Sequence, residues 1–303
     1  MLSIIIPARN NYEYTRNCID STLNSLGAVK EAVELLLIDD NSDPDCRIAE
    51  CFQRARAAGL AKCRMFRFNS WRHYTGVFAL GLQESAGDKI LFLSNDMMMT
   101  PFFLETVLAV AAENPSAGIV RGTSKYCDSH PEHQCACPLP LRDYRDVLLF
   151  SGFISEYYGK TFAEDKLLSG DAVLIRREVL DSIGNMDTRF FGYFGDLDFG
   201  IRVRRAGFKL LCAKGAWLHH YGAGHVTDGV KTKEEMTERT KARMALVHAA
   251  YQEFRRKWGT SILPEVFRDV NKLDYDALLK VSPDINDMIP LRQFAPGVDF
   301  QES

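Results

Sequence analysis

The chain has 303 residues, a length that suits two average domains or one large α/β domain with an appendage. Hydrophobic residues make up 46% of it, and 37 basic residues nearly balance 40 acidic ones to leave a net charge of −3. This composition excludes a disordered chain, and it offers no basic surface for nucleic acid. The most apolar runs, such as Lys89–Leu93, are far shorter than the roughly 18 apolar residues of a membrane-spanning helix.

The N-terminal half alternates short apolar runs with amphipathic stretches. The apolar runs predict strands over Leu2–Ile6, Val33–Ile38, Cys63–Phe68 and Lys89–Leu93. The amphipathic stretches predict helices over Tyr14–Leu26, Cys46–Ala58, Thr75–Ser85 and Pro101–Glu113. Repeated strand–helix pairs of this length imply right-handed crossovers, so we expect a doubly wound α/β domain with a mainly parallel sheet.

The pattern loosens after Val120. Residues 121–143 are polar and rich in proline, cysteine and histidine, so a loop-rich insertion is expected there. Regular elements are expected again as strands at Ala172–Arg176 and Lys209–Ala213, and as helices at Glu178–Ile183 and Asp196–Ala206. Glu234–Lys257 predicts one long amphipathic helix, followed by a polar tail with short helices.

Polar side chains follow three of the predicted strands at the point where each strand ends. The first is followed by Pro7-Ala8-Arg9-Asn10, the second by Asp39-Asp40-Asn41-Ser42 and the fourth by Ser94-Asn95-Asp96. Each group alone is also typical of turns and helix N-caps. Ligands of open parallel sheets bind beyond the carboxyl ends of the strands, so the three groups together indicate a pocket for a polar ligand held partly through a metal ion.

Motifs typical of other nucleotide-binding proteins are absent. No G-x-G-x-x-G follows the first strand, because Pro7–Tyr12 contains no glycine, and no G-x-x-x-x-G-K-[ST] occurs anywhere. A sugar nucleotidyltransferase would carry a glycine-rich, basic phosphate loop after the first strand, and this is also missing. Without a glycine cradle, the charge of a diphosphate requires a divalent cation, for which Asp96 is the candidate ligand.

Ordered blocks of the sequence resemble family 2 glycosyltransferases. They are Ser3–Asn10, Leu36–Ser42, Gly87–Asp96, Ser169–Glu178, Gly184–Phe191, Asp196–Arg202 and His220–Gly224. The resemblance covers residues 2–226 and implies an inverting enzyme of the GT-A fold, a Rossmann-like, mainly parallel sheet flanked by helices. It implies a nucleotide-binding half over 1–114 and an acceptor and catalytic half over 115–226. A helical C-terminal extension, 227–303, would follow.

The resemblance also implies a donor site and a metal site. The donor-binding residues would be Pro7, Ala8, Arg9, Asn10, Asp39, Asp40, Arg72, Asn95 and Asp96. Asp40 would accept a hydrogen bond from the base N3–H, which suits UDP- or dTDP-sugars, although guanine offers a comparable donor. Asp96 and His220 would hold Mn²⁺ or Mg²⁺. For His220 a structural histidine is the alternative, and for Arg72 a solvated arginine.

The catalytic base is implied by a second acidic motif. Family members show Glu-Asp-x-Asp before an Arg-rich helix, and this chain reads Gly195-Asp196-Leu197-Asp198. Asp196 holds the base position, where the aromatic run Phe190–Phe194 before it would raise its pKa, and its alternative role is a helix N-cap. The acceptor-binding residues implied are Gly170, Asp171 and Asp198. Asp198 is also well placed to orient Arg202.

A cysteine- and histidine-rich loop is the remaining cluster of metal-ligating residues. It contains Cys127, His130, His133, Cys135 and Cys137. Their spacing is tighter than that of standard zinc knuckles, so a reduced surface loop or a flap over the acceptor site is the main interpretation, with structural zinc as the alternative.

The sequence therefore predicts a metal-dependent glycosyltransferase that moves a hexosyl or related sugar to a hydroxyl of a glycan or glycoconjugate. The alternatives are a sugar nucleotidyltransferase of similar fold and a catalytically silent sugar-nucleotide-binding protein. The eight cysteines would suit either compartment by number, but the absence of an export signal at the start of the chain favours the cytoplasm, and no nucleic-acid partner is expected. The apolar side of the predicted helix Glu234–Lys257 is expected to pack on the catalytic domain or on a second subunit. The alternative is that its basic residues contact anionic lipid at the inner face of a membrane.

Overall fold

The structure is a computed structural model that describes residues 1–57, 62–126, 131–222, 232–265, 274–281 and 288–303. Within them a nine-stranded sheet has the order β11-β3-β2-β1-β4-β8-β6-β9-β7. Its strands are β1 (Leu2–Ala8), β2 (Val33–Asp39), β3 (Lys62–Phe68), β4 (Lys89–Leu93), β6 (Ala117–Thr123), β7 (Phe162–Asp165), β8 (Ala172–Arg176), β9 (Lys209–Trp217) and β11 (Phe300–Glu302). A separate pair is formed by β5 (Met97–Met98) and β10 (His219–His220), which run antiparallel.

The predicted mainly parallel sheet is confirmed. β1 pairs in parallel with β2 and with β4, β2 with β3, and β6 with β9. β8 runs opposite to its neighbours β4 and β6, and the two edge strands β7 and β11 are also antiparallel. Six of the nine strands therefore share one direction, and their carboxyl ends lie along one edge.

Helices cover both faces of the sheet. They are α1 (Tyr12–Ser25), α2 (Ile48–Ala57), α3 (His73–Glu84), α4 (Pro101–Glu113), α5 (Tyr144–Tyr158), α6 (Arg177–Ile183), α7 (Gly195–Arg205), α8 (Lys233–Trp258) and α9 (Tyr275–Leu278). One core holds Ile4 of β1 with α1, α2 and α4, and the other holds Ile5 with α3, α6 and α7. Neighbouring residues of one strand point to opposite faces, so an apolar run such as Leu2–Ile6 supplies both cores.

Two elements differ from the sequence expectation. Strand β7 and helix α5 form between residues 144 and 165, where no element was predicted. Helix α5 keeps Leu149, Phe153 and Tyr157 exposed, so its apolar residues are spread around the helix and the 3.6-residue pattern is blurred. None of the described helices is both long enough and apolar enough to cross a membrane.

The last residues form a strand rather than the predicted polar tail. β11 pairs antiparallel with β3, placing Phe300 opposite Phe68. The rings of Phe66 and Phe68 contact Phe300 edge-on, and Phe294 packs against Phe68 at 5.2 Å between ring centroids. The C-terminal region therefore returns to the central sheet and covers the edge that β3 would otherwise expose.

We expect Phe300→Ala to lower the free energy of unfolding by about 3–5 kcal/mol, because it leaves a cavity among buried aromatic rings. Val298→Ala is the matched control, since Val298 is 75% exposed two residues earlier, and it should change stability by less than about 0.5 kcal/mol. Urea denaturation followed by circular dichroism measures both. Equal stability of the two variants would show that β11 does not belong to the core.

Candidate functional site

The ends of β1, β2 and β4 come together as the sequence predicts. Ala8 pairs with Asp39, and the backbone N–H of Asp40 donates to the carbonyl of Ala8 at 2.9 Å. The loops beyond the two strands are tied by Asn10, whose backbone N–H donates to Oγ of Ser42 and whose side chain contacts Asp43. The segment Pro7–Asn10 and the acids after β2 therefore form one wall of the site.

The two adjacent acids after β2 have different roles. Asp39 is paired with Arg67, and its Oδ1 accepts from the backbone N–H of Ser42 at 2.8 Å, so it shapes its own loop. Asp40 accepts from the backbone N–H of Arg72 at 2.7 Å. Burial raises the pKa of Asp40 to about 6, against the opposing effects of that hydrogen bond and of the Arg9 charge.

Two arginines flank Asp40 through different groups. Arg9 donates to the carbonyls of Asp40 and Asn41 at 2.5 and 3.0 Å, with its guanidinium over the ring of Trp71. The side chain of Arg72 points to the C-terminal segment, where it pairs with Asp299 at 2.8 Å. Arg72 therefore contacts the site through its backbone N–H, and its guanidinium links the site to residues 288–303.

The candidate metal ligands lie together. The antiparallel pairing of β5 with β10 brings His220 to the end of β4, with its Nε2 3.3 Å from Oδ2 of Asp96. Burial lowers the pKa of His220, but Asp96 and the nearby Asp171 outweigh it and raise that pKa to about 9. Such a pair suits a divalent cation, because a carboxylate and an imidazole are both ligands of Mn²⁺ and a bound cation replaces the proton.

Asn95 and His219, which precede Asp96 and His220 in the chain, differ from them in their surroundings. Asn95 donates to Oγ1 of Thr15 at 2.9 Å, which fixes its amide toward α1. Burial lowers the pKa of His219 to about 4, so this ring is neutral. His220, the predicted ligand, is therefore the histidine that faces Asp96.

Asp196 lies in the first turn of α7, beside the loop that precedes β8. An added Cβ on Gly170 would lie 3.2 Å from Cβ of Asp196 and 1.8 Å from the hydroxyl of Tyr74, so only glycine fits there. Burial, together with the charge of Asp171, raises the pKa of Asp196 to about 6. The side chain stays partly exposed, so Asp196 combines raised basicity with access to a ligand.

The acceptor-binding role predicted for Asp198 is wrong. Its side chain is fully buried, and Oδ2 accepts from Nε of Arg202 at 2.8 Å. The helix turns 200° between residues 196 and 198 by its ordinary geometry of about 100° per residue, so the two acids face opposite ways. The alternative interpretation, that Asp198 orients Arg202, agrees with this contact.

Gly195 replaces the family's glutamate for a packing reason. A Cβ at this position would lie 2.6 Å from Oγ1 and 2.9 Å from Cγ2 of Thr75, which is fully buried on α3. The close approach of α3 and α7 leaves no room for a side chain. The packing of these two helices therefore explains why no glutamate is present here to contact the acceptor.

The cysteine- and histidine-rich loop is described only in part, because Cys127 and His130 lie outside the described residues. His133, Asp165 and Cys212 have potential ligand atoms within 4.8 Å of one another. The guanidinium of Arg121 lies between them, donating to Asp165 at 2.5 Å and lying 2.8 Å from Nδ1 of His133. Arg121 already balances the charge of Asp165, which disfavours zinc at this cluster.

Two contacts of the site were missed by the sequence analysis. Tyr74 donates from its hydroxyl to the carbonyl of Gly170 at 2.9 Å and supports the loop beside Asp196. The carbonyl of Tyr126 lies 3.4 Å from Nδ1 of His220. Neither tyrosine belongs to a motif, and both lie far along the chain from their partners, so no local signal identifies them.

Comparison with known proteins identifies the class. The model described as Glycosyl transferase family 2 matches residues 3–184, and the chain belongs to this family of glycosyltransferases. It is 26% identical over 240 residues to the O-antigen biosynthesis protein RfbC of Myxococcus xanthus, covering 76% of this chain and 18% of that protein. A 54-residue stretch, 18% of this chain, is 48% identical to the minor teichoic acid biosynthesis protein GgaA of Bacillus subtilis and covers 12% of it. The chain thus spans less than a quarter of the length of these relatives.

Solved structures support the fold. The mannosyltransferase PcManGT of Pyrobaculum calidifontis, in complex with GDP-Man and Mn²⁺, is similar with a TM-score of 0.54 and 14% identity over 92% of this chain and 69% of that one. TarS 1-349 of S. aureus in complex with UDP gives the same TM-score, identity and coverage. The predicted GT-A fold is therefore confirmed.

We expect Gly195→Ala to lower the free energy of unfolding by about 1–3 kcal/mol, because the new methyl group overlaps Thr75. In a Thr75→Ala background the same change should be less harmful, with a coupling of at least about 0.5 kcal/mol in a double-mutant cycle. Gly27→Ala is the control, since a Cβ there meets nothing within 4 Å. Additive effects of the two substitutions would contradict the packing explanation.

Proposed function

We propose that the chain transfers a sugar from a UDP- or dTDP-sugar to a hydroxyl of a glycan or glycoconjugate, with inversion at the anomeric carbon. The observation that supports this is the position of Asp40, the Asp96–His220 pair and Asp196 along one edge of the sheet. In this proposal Asp40 binds the nucleotide base, the Asp96–His220 pair lies at the diphosphate, and Asp196 contacts the acceptor hydroxyl. Membership of the glycosyltransferase family supplies the class of reaction.

Recognition of the donor begins at Asp40. A carboxylate after β2 accepts a hydrogen bond from the N3–H of uracil or thymine, and its position is fixed by Arg72 N–H. The UDP-bound TarS 1-349 is consistent with a uridine donor, whereas GDP-Man in PcManGT keeps guanine as the alternative. Asp96 and His220 would hold Mn²⁺ or Mg²⁺, which supplies positive charge to the leaving diphosphate.

Asp196 acts in the chemical step as the general base. The acceptor oxygen attacks the anomeric carbon from the face opposite the diphosphate, the bond from that carbon to the diphosphate oxygen breaks, and the hydroxyl proton passes to Asp196. A single displacement inverts the configuration and releases a nucleoside diphosphate. A pKa near 6 keeps Asp196 mostly ionised at neutral pH while leaving it a stronger base than an exposed aspartate.

The acceptor class is proposed from the relatives and from the site. RfbC and GgaA are named for O-antigen and minor teichoic acid biosynthesis, so we propose a hydroxyl of a bacterial surface polysaccharide or its precursor. Asp171 and the backbone of Gly170 lie next to Asp196, on the side where that hydroxyl must approach. Both were predicted as acceptor-binding residues, and they keep that role in this proposal.

We expect binding of UDP to require a divalent cation and Asp96. Calorimetry with Mn²⁺ should show that Asp96→Ala lowers the affinity for UDP by about 10- to 100-fold, and EDTA should weaken UDP binding by the wild type similarly. Loss of a group that merely supports a metal ligand already has an effect of this size. Asp181→Ala is the control, because Asp181 is exposed on α6. Equal affinity with and without the cation would contradict the metal site.

We expect Asp196→Asn to lower kcat by about 10²–10⁴-fold while UDP affinity stays the same, because asparagine keeps the shape but cannot accept the proton. Turnover is measured as release of UDP from UDP-GlcNAc or UDP-glucose, or of dTDP from dTDP-glucose, with alkyl glycosides as acceptors. Near wild-type turnover would place the base elsewhere. Release of pyrophosphate instead of nucleoside diphosphate would indicate a nucleotidyltransferase.

The pH dependence tests the same residue. Asp196 must be ionised to accept a proton, so kcat should fall as the pH decreases through about 6. Saturating donor and Mn²⁺ are required, because Asp40 titrates in the same range and would otherwise contribute through donor binding. Asp171→Asn removes a negative charge beside Asp196, so the acid limb should move to lower pH. An unchanged acid limb in this variant would contradict that electrostatic explanation.

A further inference from the structure

The carboxylate of Asp198 is the centre of a buried ion network that joins α7 to the end of α8. Oδ2 accepts from Nε of Arg202 at 2.8 Å, and Oδ1 accepts from Nε1 of Trp258 at 3.0 Å. Nζ of Lys257 lies 2.6 Å from the same Oδ1, and it donates to Asp187 at 3.0 Å. Asp187 and Asp198 are thus matched by the buried Arg202 and Lys257, and the more exposed Arg189 is a further partner of Asp187.

Phe194 occupies the N-cap of α7 in a left-handed conformation, with φ of 64°, and provides no side-chain hydrogen bond to the helix. A polar N-cap residue would normally fix this first turn. Asp196 and Asp198 both lie in that turn, where Oδ1 of Asp196 accepts from the backbone N–H of Leu197 at 2.9 Å. The contacts of Asp198 tie this turn to α8, and the direction of Asp196 depends on the rotation of α7.

Aromatic side chains also pack between the start of α7 and α8. Phe194 packs against Tyr251 and Phe254 of α8, with ring centroids 5.2 and 5.4 Å apart, and Phe190 contacts Phe254 at 6.2 Å. Apolar contacts of this kind stabilise an interface without fixing one rotation of the helix. Buried ion pairs contribute little net stability, but their hydrogen bonds have a strict geometry and can select one arrangement.

We propose that Lys257 and Trp258 are positioning residues that hold Asp196 in its catalytic orientation by clamping Asp198 from the end of α8. The clamp joins the C-terminal region to the base through two residues of one helix turn. Arg202 completes it from within α7, donating also to the carbonyls of Ile183 and Asn185 at 3.0 and 2.8 Å. This inference rests on the proposed function, in which Asp196 is the base.

The test uses two substitutions that weaken the clamp in different ways. Trp258→Phe removes the donor to Asp198 and keeps most of the buried ring. Lys257→Met removes the charge at similar length, and Arg256→Met is its matched control because Arg256 is exposed beside it and pairs with Glu253 of its own helix. We expect kcat for UDP release from UDP-GlcNAc with Mn²⁺ to fall by up to about 100-fold in both clamp variants. UDP affinity should be unchanged, and Arg256→Met should behave as the wild type.

The melting temperature separates positioning from stability. Lys257→Met leaves Asp187 paired with Arg189 and Asp198 paired with Arg202, so the variant should fold, with a lowered melting temperature. Turnover measured well below that temperature should still be low, because Asp198 has lost its ion pair with the end of α8. Wild-type turnover by folded Lys257→Met would overturn the proposal.

Hydrogen exchange measures the effect of the clamp on α7 independently of turnover. The amide of Asp198 donates to the carbonyl of Phe194 at 2.9 Å, and its exchange should accelerate in Trp258→Phe while the rest of the sheet stays protected. Unchanged exchange and unchanged kcat in Trp258→Phe would overturn the clamp. Lack of any UDP release by the wild type would instead overturn the proposed function, and the exchange of Asp198 would still decide whether Trp258 holds α7.

Discussion

The parallel pairing of β1 with β2 and β4 is the constraint on which the site depends. Because these strands share one direction, the loops after Ala8, Asp39 and Leu93 must leave the sheet at the same edge. The chain returns through helices on either face, so no connection crosses this edge. Groups separated by more than 80 residues of sequence therefore lie at one edge of the sheet, and the β5–β10 pair brings His220 to the same edge.

The acids near this edge differ in the groups that contact them. Asp39 and Asp198 are neutralised by arginine or lysine side chains, so they serve the structure. Asp40 and Asp196 accept hydrogen bonds from backbone N–H groups, and burial raises the pKa of both to about 6. A carboxylate with a raised pKa binds a hydrogen-bond donor or a proton more strongly, which is what donor recognition and base catalysis require.

Much of the catalytic domain could be predicted, because its elements carry local signals. The apolar runs that became β1, β2 and β4 are long enough to identify, and Pro101 marks the start of α4. Helix α5 was missed because its exposed Phe153 and Tyr157 obscure the amphipathic pattern. β11 is three residues long, and only its pairing with β3 makes it a strand.

The sequence by itself determined the class of fold and the acids at the strand ends, since strand direction and turn composition are local properties. It did not determine which acid faces the ligand. Asp196 and Asp198 are two residues apart in one motif, and their surroundings differ because Arg202, Lys257 and Trp258 contact Asp198. Arg72 likewise turns its guanidinium to Asp299, which is 227 residues away. The tertiary structure decided these roles, because the effect of a charge depends on the partners that folding brings to it.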